Sequence, residues 1–148
     1  MSKKVIAIGN EMMTDDGIGI CVAKELEDYM KSWNIELIIG ETDVEYCLDY
    51  IGDGDDLIIL DAAFQEDSPG TICTYPLEEL FLHRAVITQH QPSLLDAIRL
   101  YKMGVKGILI TIEIAELSFG LGLSERMKGL LPQIVVEVRN LIDEYIGG

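Results

Sequence analysis

Basic residues are scarce in this chain. Eleven Lys and Arg face 26 Asp and Glu over 148 residues, a net charge of −15 with both histidines neutral. Such an acid excess repels phosphate backbones and anionic bilayers, so nucleic acid and membrane surfaces are excluded as expected partners, and basic or metal-bearing ones are favoured. Long apolar runs are also missing. None approaches the roughly 18 residues that a membrane span needs, so no membrane insertion is expected. The N-terminal Met1-Ser2-Lys3-Lys4 leads into only five apolar or Gly residues before Asn10, too few for a secretory leader, and a cytoplasmic location is the expectation. Cysteine is sparse: Cys21, Cys47 and Cys73 stand 26 residues apart, an odd number with no close pair. That spacing fits a reducing compartment, offers no zinc motif, and leaves the three thiols as small core groups. Proline and glycine punctuation is confined to Ser68-Pro69-Gly70, too short to divide the chain, and no repeat or low-complexity stretch occurs. One domain over residues 1–148 is expected.

Several reaction schemes lack their residues. The Gly9-Asn10 loop has no Gly-Lys-Ser/Thr and is not Gly-x-Gly-x-x-Gly, and its aspartates would repel a pyrophosphate, so nucleotide binding is not expected. There is no His-Glu-x-x-His helix, no Gly-x-Ser-x-Gly elbow and no Cys with an assignable His partner. Any cleavage chemistry would proceed without a conventional nucleophile.

What is present is a core. Apolar residues make up 49% of the chain, and at this length folding hides about two-thirds of the unfolded surface. Val5 to Gly9 reads as a buried parallel strand that breaks at Asn10 into a loop ending Thr14-Asp15-Asp16-Gly17. Ile18, Val22, Leu26 and Tyr29 recur at helical spacing, predicting a helix over 16–32 that Asp15 or Asp16 can cap. Ile35 to Ile39 follows as a strand, Val44 to Ile51 as a short helix, and Leu57 to Leu60 as a strand ending at Asp61. Thr71 to Tyr75 reads as an edge strand, Ser93 to Met103 as a helix, Gly107 to Ile112 as a buried strand and Ser124 to Ile146 as a closing helix with Ile134, Val138, Leu141, Ile142 and Tyr145 on one face. Alternating buried strands and helices predict an α/β fold: a three-layer sandwich with a mostly parallel sheet and helices on both faces. Ligands of such sheets sit beyond the carboxyl ends of the strands.

The polar groups expected at that edge are Asn10, Asp15 and Asp16 after the first strand, Asp61 after the third and Glu113 at or after the last. His90, in Thr88-Gln89-His90-Gln91-Pro92 ahead of a helix, can reach the same rim. Carboxylates and an imidazole gathered from separate strand ends make a three-ligand site suited to divalent nickel, zinc, manganese or iron. Without metal the acids repel one another, and at least one carboxyl pKa should rise. Each residue also has a plainer reading: Asp15 and Asp16 as a cap with favourable dipole charge, Asp61 as a polar strand end, His90 as a loop residue. Adjacent helical residues point about 100° apart, so one aspartate can cap while the other, taken as Asp16, faces a ligand. His83 is expected on the surface. Met12 and Met13 fit either partner contact or packing over the loop. Gly17 and Gly19 are expected to let the loop turn and the helix pack close to a strand.

The run Gly9-Asn10-Glu11-Met12-Met13-Thr14-Asp15-Asp16-Gly17-Ile18-Gly19, then Leu57-Ile58-Ile59-Leu60-Asp61-Ala62-Ala63, His90, Ile112-Glu113 and Gly122-Leu123-Ser124, resembles the nickel-iron hydrogenase maturation endopeptidases along the whole chain. The resemblance implies a twisted five-stranded sheet between helices. It implies an endopeptidase that removes the C-terminal extension of the hydrogenase large-subunit precursor once nickel has been inserted. It also implies that Asp16, Asp61 and His90 are the metal-binding and catalytic residues of an aspartyl-type or metal-assisted peptidase, with nickel carried by the substrate and still held by its cysteine thiolates. One departure concerns the last strand: many members carry Pro after Ile-Glu or Ile-Gln, whereas this chain reads Ile112-Glu113-Ile114-Ala115, which frees φ at the strand exit. Two other functions use similar residues. A non-catalytic chaperone on the same scaffold would hold nickel and the precursor without cutting. A phospho-receiver-like domain shares the sheet and an acid after strand three, but it needs a Lys after the last strand, where this chain has Glu113 to Glu116.

Overall fold

The computed structural model describes residues 3–147. The sheet has five strands: β1 (Lys3–Ile8), β2 (Glu36–Glu41), β3 (Asp56–Ala63), β4 (Ile72–Pro76) and β5 (Lys106–Glu113). Their spatial order is β2-β1-β3-β5-β4, parallel throughout except for the antiparallel edge strand β4. The helices are α1 (Ile18–Glu25), α2 (Glu27–Ser32), α3 (Val44–Asp49), α4 (Leu77–His83), α5 (Gln91–Tyr101) and α6 (Glu125–Gly147). The expected three layers are present. Among the described residues, no helix is long and apolar enough to cross a membrane.

Strand alternation assigns the two faces. Val5, Ala7, Ile58, Leu60, Ile110 and Ile112 join Ile18, Val22 and Met30 of α1 and α2 and Ile134, Val138 and Ile142 of α6 in one buried cluster. Ile6, Ile8, Leu57, Ile59 and Leu109 join Cys47 of α3, Leu77 and Leu80 of α4, and Leu94 and Ile98 of α5 in the other. Side chains two apart share a face, so Asp61 follows Leu57 and Ile59 toward the α3–α5 layer. β1 and β3 lie side by side at the centre, and the chain leaves β1 for the opposite layer. That is the switch point at which open parallel sheets bind ligands.

Five local features depart from expectation. The helix predicted over 16–32 is broken: Thr14–Gly17 is a 3-10 turn, and Leu26 leaves helical geometry at φ −98°, ψ 10°, with its N–H shared between the Val22 and Ala23 carbonyls. Neither Asp15 nor Asp16 caps, because no side-chain cap bond forms at the 3-10 turn or at α1. Asp61 lies inside β3 rather than after it, since pairing with β5 continues to Ala63 opposite Glu113. Helix α4 was not foreseen. It packs Leu77 and Leu80 inward, three residues apart, and ends at Arg84 in the left-handed conformation. Of the three thiols, Cys47 is buried as expected, while Cys21 and Cys73 are only partly covered.

Candidate functional site

The loop after β1 is folded back on itself. Gly9 has φ +142°, and a Cβ there would stand 2.3 Å from the Asp16 carbonyl oxygen, so only glycine allows the return. Thr14 also lies in the left-handed region, at φ 48°, a strained position for a β-branched residue. Hydrogen bonds hold it there: its N–H donates to the Gly120 carbonyl, its hydroxyl donates to the Glu116 carbonyl, and its Oγ1 accepts from Ser118 N–H. Asp15, fully buried, accepts from Glu116 N–H at 2.8 Å, Ser124 N–H at 2.7 Å and the Ser124 hydroxyl at 2.8 Å. Asp15 thus ties the first loop to the loop after β5. The neighbouring Asp16 points elsewhere: Oδ2 accepts from Asn10 N–H at 2.8 Å and lies 2.8 Å from His90 Nε2.

His90 immediately precedes α5 and is half-buried. The hydrogen bond to Asp16 raises its pKa most; burial opposes this, and the charges of Asp61 and Asp16 add to the rise. Asp61 has no exposed surface. Its Oδ1 accepts from Ala62 N–H at 2.8 Å, and its Oδ2 accepts from the Thr88 hydroxyl at 2.5 Å. Burial pushes its pKa up to about 7, the Asp16 charge adds to the rise, and the Thr88 bond, the His90 charge and the Ala62 N–H oppose it. The structure therefore brings Asp16, Asp61 and His90 into one electrostatic neighbourhood at the carboxyl ends of β1 and β3. Among the described residues, however, no three His, Cys, Asp or Glu side chains are arranged to hold a metal ion by themselves. The Asp16 Oδ2 lies against the imidazole, and both Asp61 oxygens accept hydrogen bonds.

Glu113 does different work. Its Oε2 accepts from Gln65 N–H at 2.8 Å, and the Glu66 and Asp67 N–H groups also favour its ionised form against the upward pull of burial, so it braces the loop after β3. The residue that replaces Pro has a structural consequence: Ile114 N–H donates to the Ala63 carbonyl at 3.0 Å, a bond no proline can make. His83 is exposed, as expected.

Sequence reasoning gave no role to Thr88 and Gln91, both buried. The signal for them was the Thr-x-x-Gln spacing of a capping box. Thr88 Oγ1 accepts from Gln91 N–H at 3.1 Å, and Gln91 Oε1 accepts from Thr88 N–H at 3.3 Å and from Ile87 N–H at 2.8 Å.

Two clefts flank the Asp16–His90 pair. One, of about 330 Å³, is lined by Asp16, Thr88, Phe64, Ile87, Ile114 and Leu117. The other, of about 150 Å³, is lined by His90, Ile8, Glu41, Val44, Ser93 and Leu94. Met12, Phe64, Val86, Phe119 and Leu121 stand exposed on the loops at this end of the molecule. An apolar rim of this kind around a polar site suits contact with a protein.

Comparison with known proteins agrees with the fold. A family model described as hydrogenase maturation protease matches residues 20–140. The chain is 30% identical over 97 residues to the hydrogenase expression/formation protein HupD of Rhodobacter capsulatus, a match covering 64% of this chain and 46% of that protein. It is 28% identical over 102 residues to HupD of Thiocapsa roseopersicina, covering 67% and 46% respectively. The chain thus spans about half the length of the curated relatives it matches. Among solved structures, the hydrogenase maturating endopeptidase HybD from E. coli superposes with TM-score 0.75 at 27% identity, covering 97% of this chain and 93% of that one. The NiFe hydrogenase maturation protease HybD from Thermococcus kodakarensis superposes with TM-score 0.72 at 24% identity over 95% and 99%, a likeness of fold alone.

Proposed function

Because the chain belongs to the hydrogenase maturation protease family, we propose that it is a cytoplasmic endopeptidase that removes the C-terminal extension of a nickel-iron hydrogenase large-subunit precursor after nickel insertion. In this reading the nickel is part of the substrate, held by the precursor's cysteine thiolates. Asp16 and Asp61 offer it oxygen donors and His90 a nitrogen, a donor set suited to a divalent transition metal. One observation carries the reading: residues 74 positions apart in sequence meet at 2.8 Å, His90 Nε2 on Asp16 Oδ2, at the end of the sheet where the buried Asp61 feels both charges. The precursor's thiolates would complete the donor set around the nickel.

Docking of the nickel places the tail's scissile peptide beside these groups. Water attacks the scissile carbonyl carbon, the C–N bond breaks to leave a carboxyl group, and the proton the water gives up passes to the departing amine. A carboxylate of this group, or the substrate's nickel, polarises the attacking water. The exposed apolar rim supports a protein as substrate.

The test is cleavage of nickel-loaded precursor against nickel-free precursor. Processing is expected only with nickel, and Asp16→Asn, Asp61→Asn and His90→Ala are each expected to lower its rate by about 10²-fold or more. Full tail removal by all three variants ends the assignment, and a stable complex with an intact tail would make the protein a chaperone.

A further inference from the structure

The segment from Ala85 to Gln91 contacts both aspartates at once, through Thr88 on Asp61 and His90 on Asp16. We propose that Thr88 is a positioning residue for the substrate's metal, its hydroxyl clamping the Asp61 carboxylate in the orientation that receives nickel. This rests on the function proposed above and goes beyond it, since no comparison gives Thr88 a role.

The direction of the hydroxyl follows from its partners. Thr88 Oγ1 accepts the Gln91 N–H at 3.1 Å, which commits a lone pair, and the hydroxyl hydrogen is left to donate to Asp61 Oδ2 at 2.5 Å. Gln91 holds the oxygen in place. It is 2% exposed; its Oε1 receives the N–H groups of Ile87 and Thr88, and its Nε2 donates to the Ala85 carbonyl at 3.0 Å. The other Asp61 oxygen is held by its neighbour's N–H. Both carboxylate oxygens are thereby anchored, so the plane of the group is set before substrate arrives. Such preorganisation lowers the cost of binding at the moment of docking.

Cleavage and binding of nickel-loaded precursor are measured for the full chain carrying Thr88→Val, Thr88→Ser, Asp61→Asn and the Thr88→Val/Asp61→Asn pair, with unfolding midpoints recorded alongside. Thr88→Val is expected to weaken precursor binding and kcat/KM about tenfold, and Thr88→Ser, which keeps the donor, to restore most of both. In the Asp61→Asn background, Thr88→Val is expected to cost nothing further in precursor binding. Should Val not fold, Thr88→Cys, of similar size and a poor donor, takes its place. Unaltered binding and turnover in Thr88→Val overturns the proposal, as does a Ser variant no better than Val. A binding loss that persists in the Asp61→Asn background would assign Thr88 to holding the segment ahead of α5 alone and overturns it too. If Asp61→Asn itself binds and cleaves normally, the metal-site reading fails instead, and the two failures are distinguishable.

Discussion

Asp15, Asp16 and Asp61 are three buried aspartates whose roles are set by what donates to them. Asp15 receives three hydrogen bonds from the loop after β5 and is a structural tie. Asp16 shares one oxygen between a backbone N–H and an imidazole. Asp61 receives one backbone and one hydroxyl donor, too little to offset complete burial, and its pKa rises from an ordinary 3.8 to about 7. The sign is direct. A pKa raised in the folded state means stability is fully present below the unfolded value and is lost as pH climbs through the folded one. Asp61→Asn removes that loss. Its melting temperature is expected to exceed that of the wild type at about pH 8, with the gap closing toward about pH 4, while processing is lost. Thermal unfolding across this range checks it; a variant less stable than wild type at the alkaline end shows that the carboxylate is stabilised there. The acidic character of the site was legible residue by residue. The choice of Asp16 over Asp15 for the ligand rested on a helical geometry that the 3-10 turn replaces, and in the structure Asp16 lies against His90 while Asp15 faces the loop after β5.

Helix α1 and strand β3 meet at Gly19. A Cβ on Gly19 would lie 2.9 Å from the Leu60 carbonyl oxygen, and Leu60 directly precedes Asp61. Close packing here was expected of Gly19. Gly17 has an ordinary φ of −84°, but a Cβ there would stand 3.2 Å from the Glu11 Cα, so the tight loop expected of it rests on close approach and not on a left-handed backbone. Gly19→Val is expected to destabilise the fold by about 2 kcal/mol or more, because backbone on both sides must move. Gly19→Ala should cost less. Denaturant midpoints at unchanged slope measure this, and a neutral Val substitution would show that α1 slides freely over β3. At this scale the strands were the most legible elements. Buried parallel strands are continuous apolar runs, and those of β1, β3 and β5 stand out in the chain. Helix α4 escaped because it is short and buries only Leu77 and Leu80, and two apolar residues do not establish a period.

The whole molecule carries −15 charges on 148 residues. Self-repulsion on this scale opposes compactness, and salt screens it, since the Debye length falls from about 30 Å at 0.01 M to about 3 Å at 1 M. Raising sodium chloride from about 0.01 M to about 0.5 M is therefore expected to raise the melting temperature by several degrees. A fall would instead mean that ion pairs such as Lys4 with Asp55, at 2.7 Å and nearly buried, outweigh the repulsion.

The order of residues determined the layered α/β architecture and the acidity of one sheet edge, because apolar runs and their periods act over a few residues and are visible along the chain. It also put Asp16, Asp61 and His90 within reach of that edge, since strand ends and the loop before α5 are themselves read from pattern. Only the tertiary structure decided that Asp15 ties two loops, that Asp61 sits within the hydrogen-bonded strand, and that Thr88 and Gln91 hold it. Those outcomes depend on hydrogen bonds between segments such as 15 and 124, or 61 and 88. A donor and an acceptor so far apart have no sequence period to link them, and only the packed sheet brings them together.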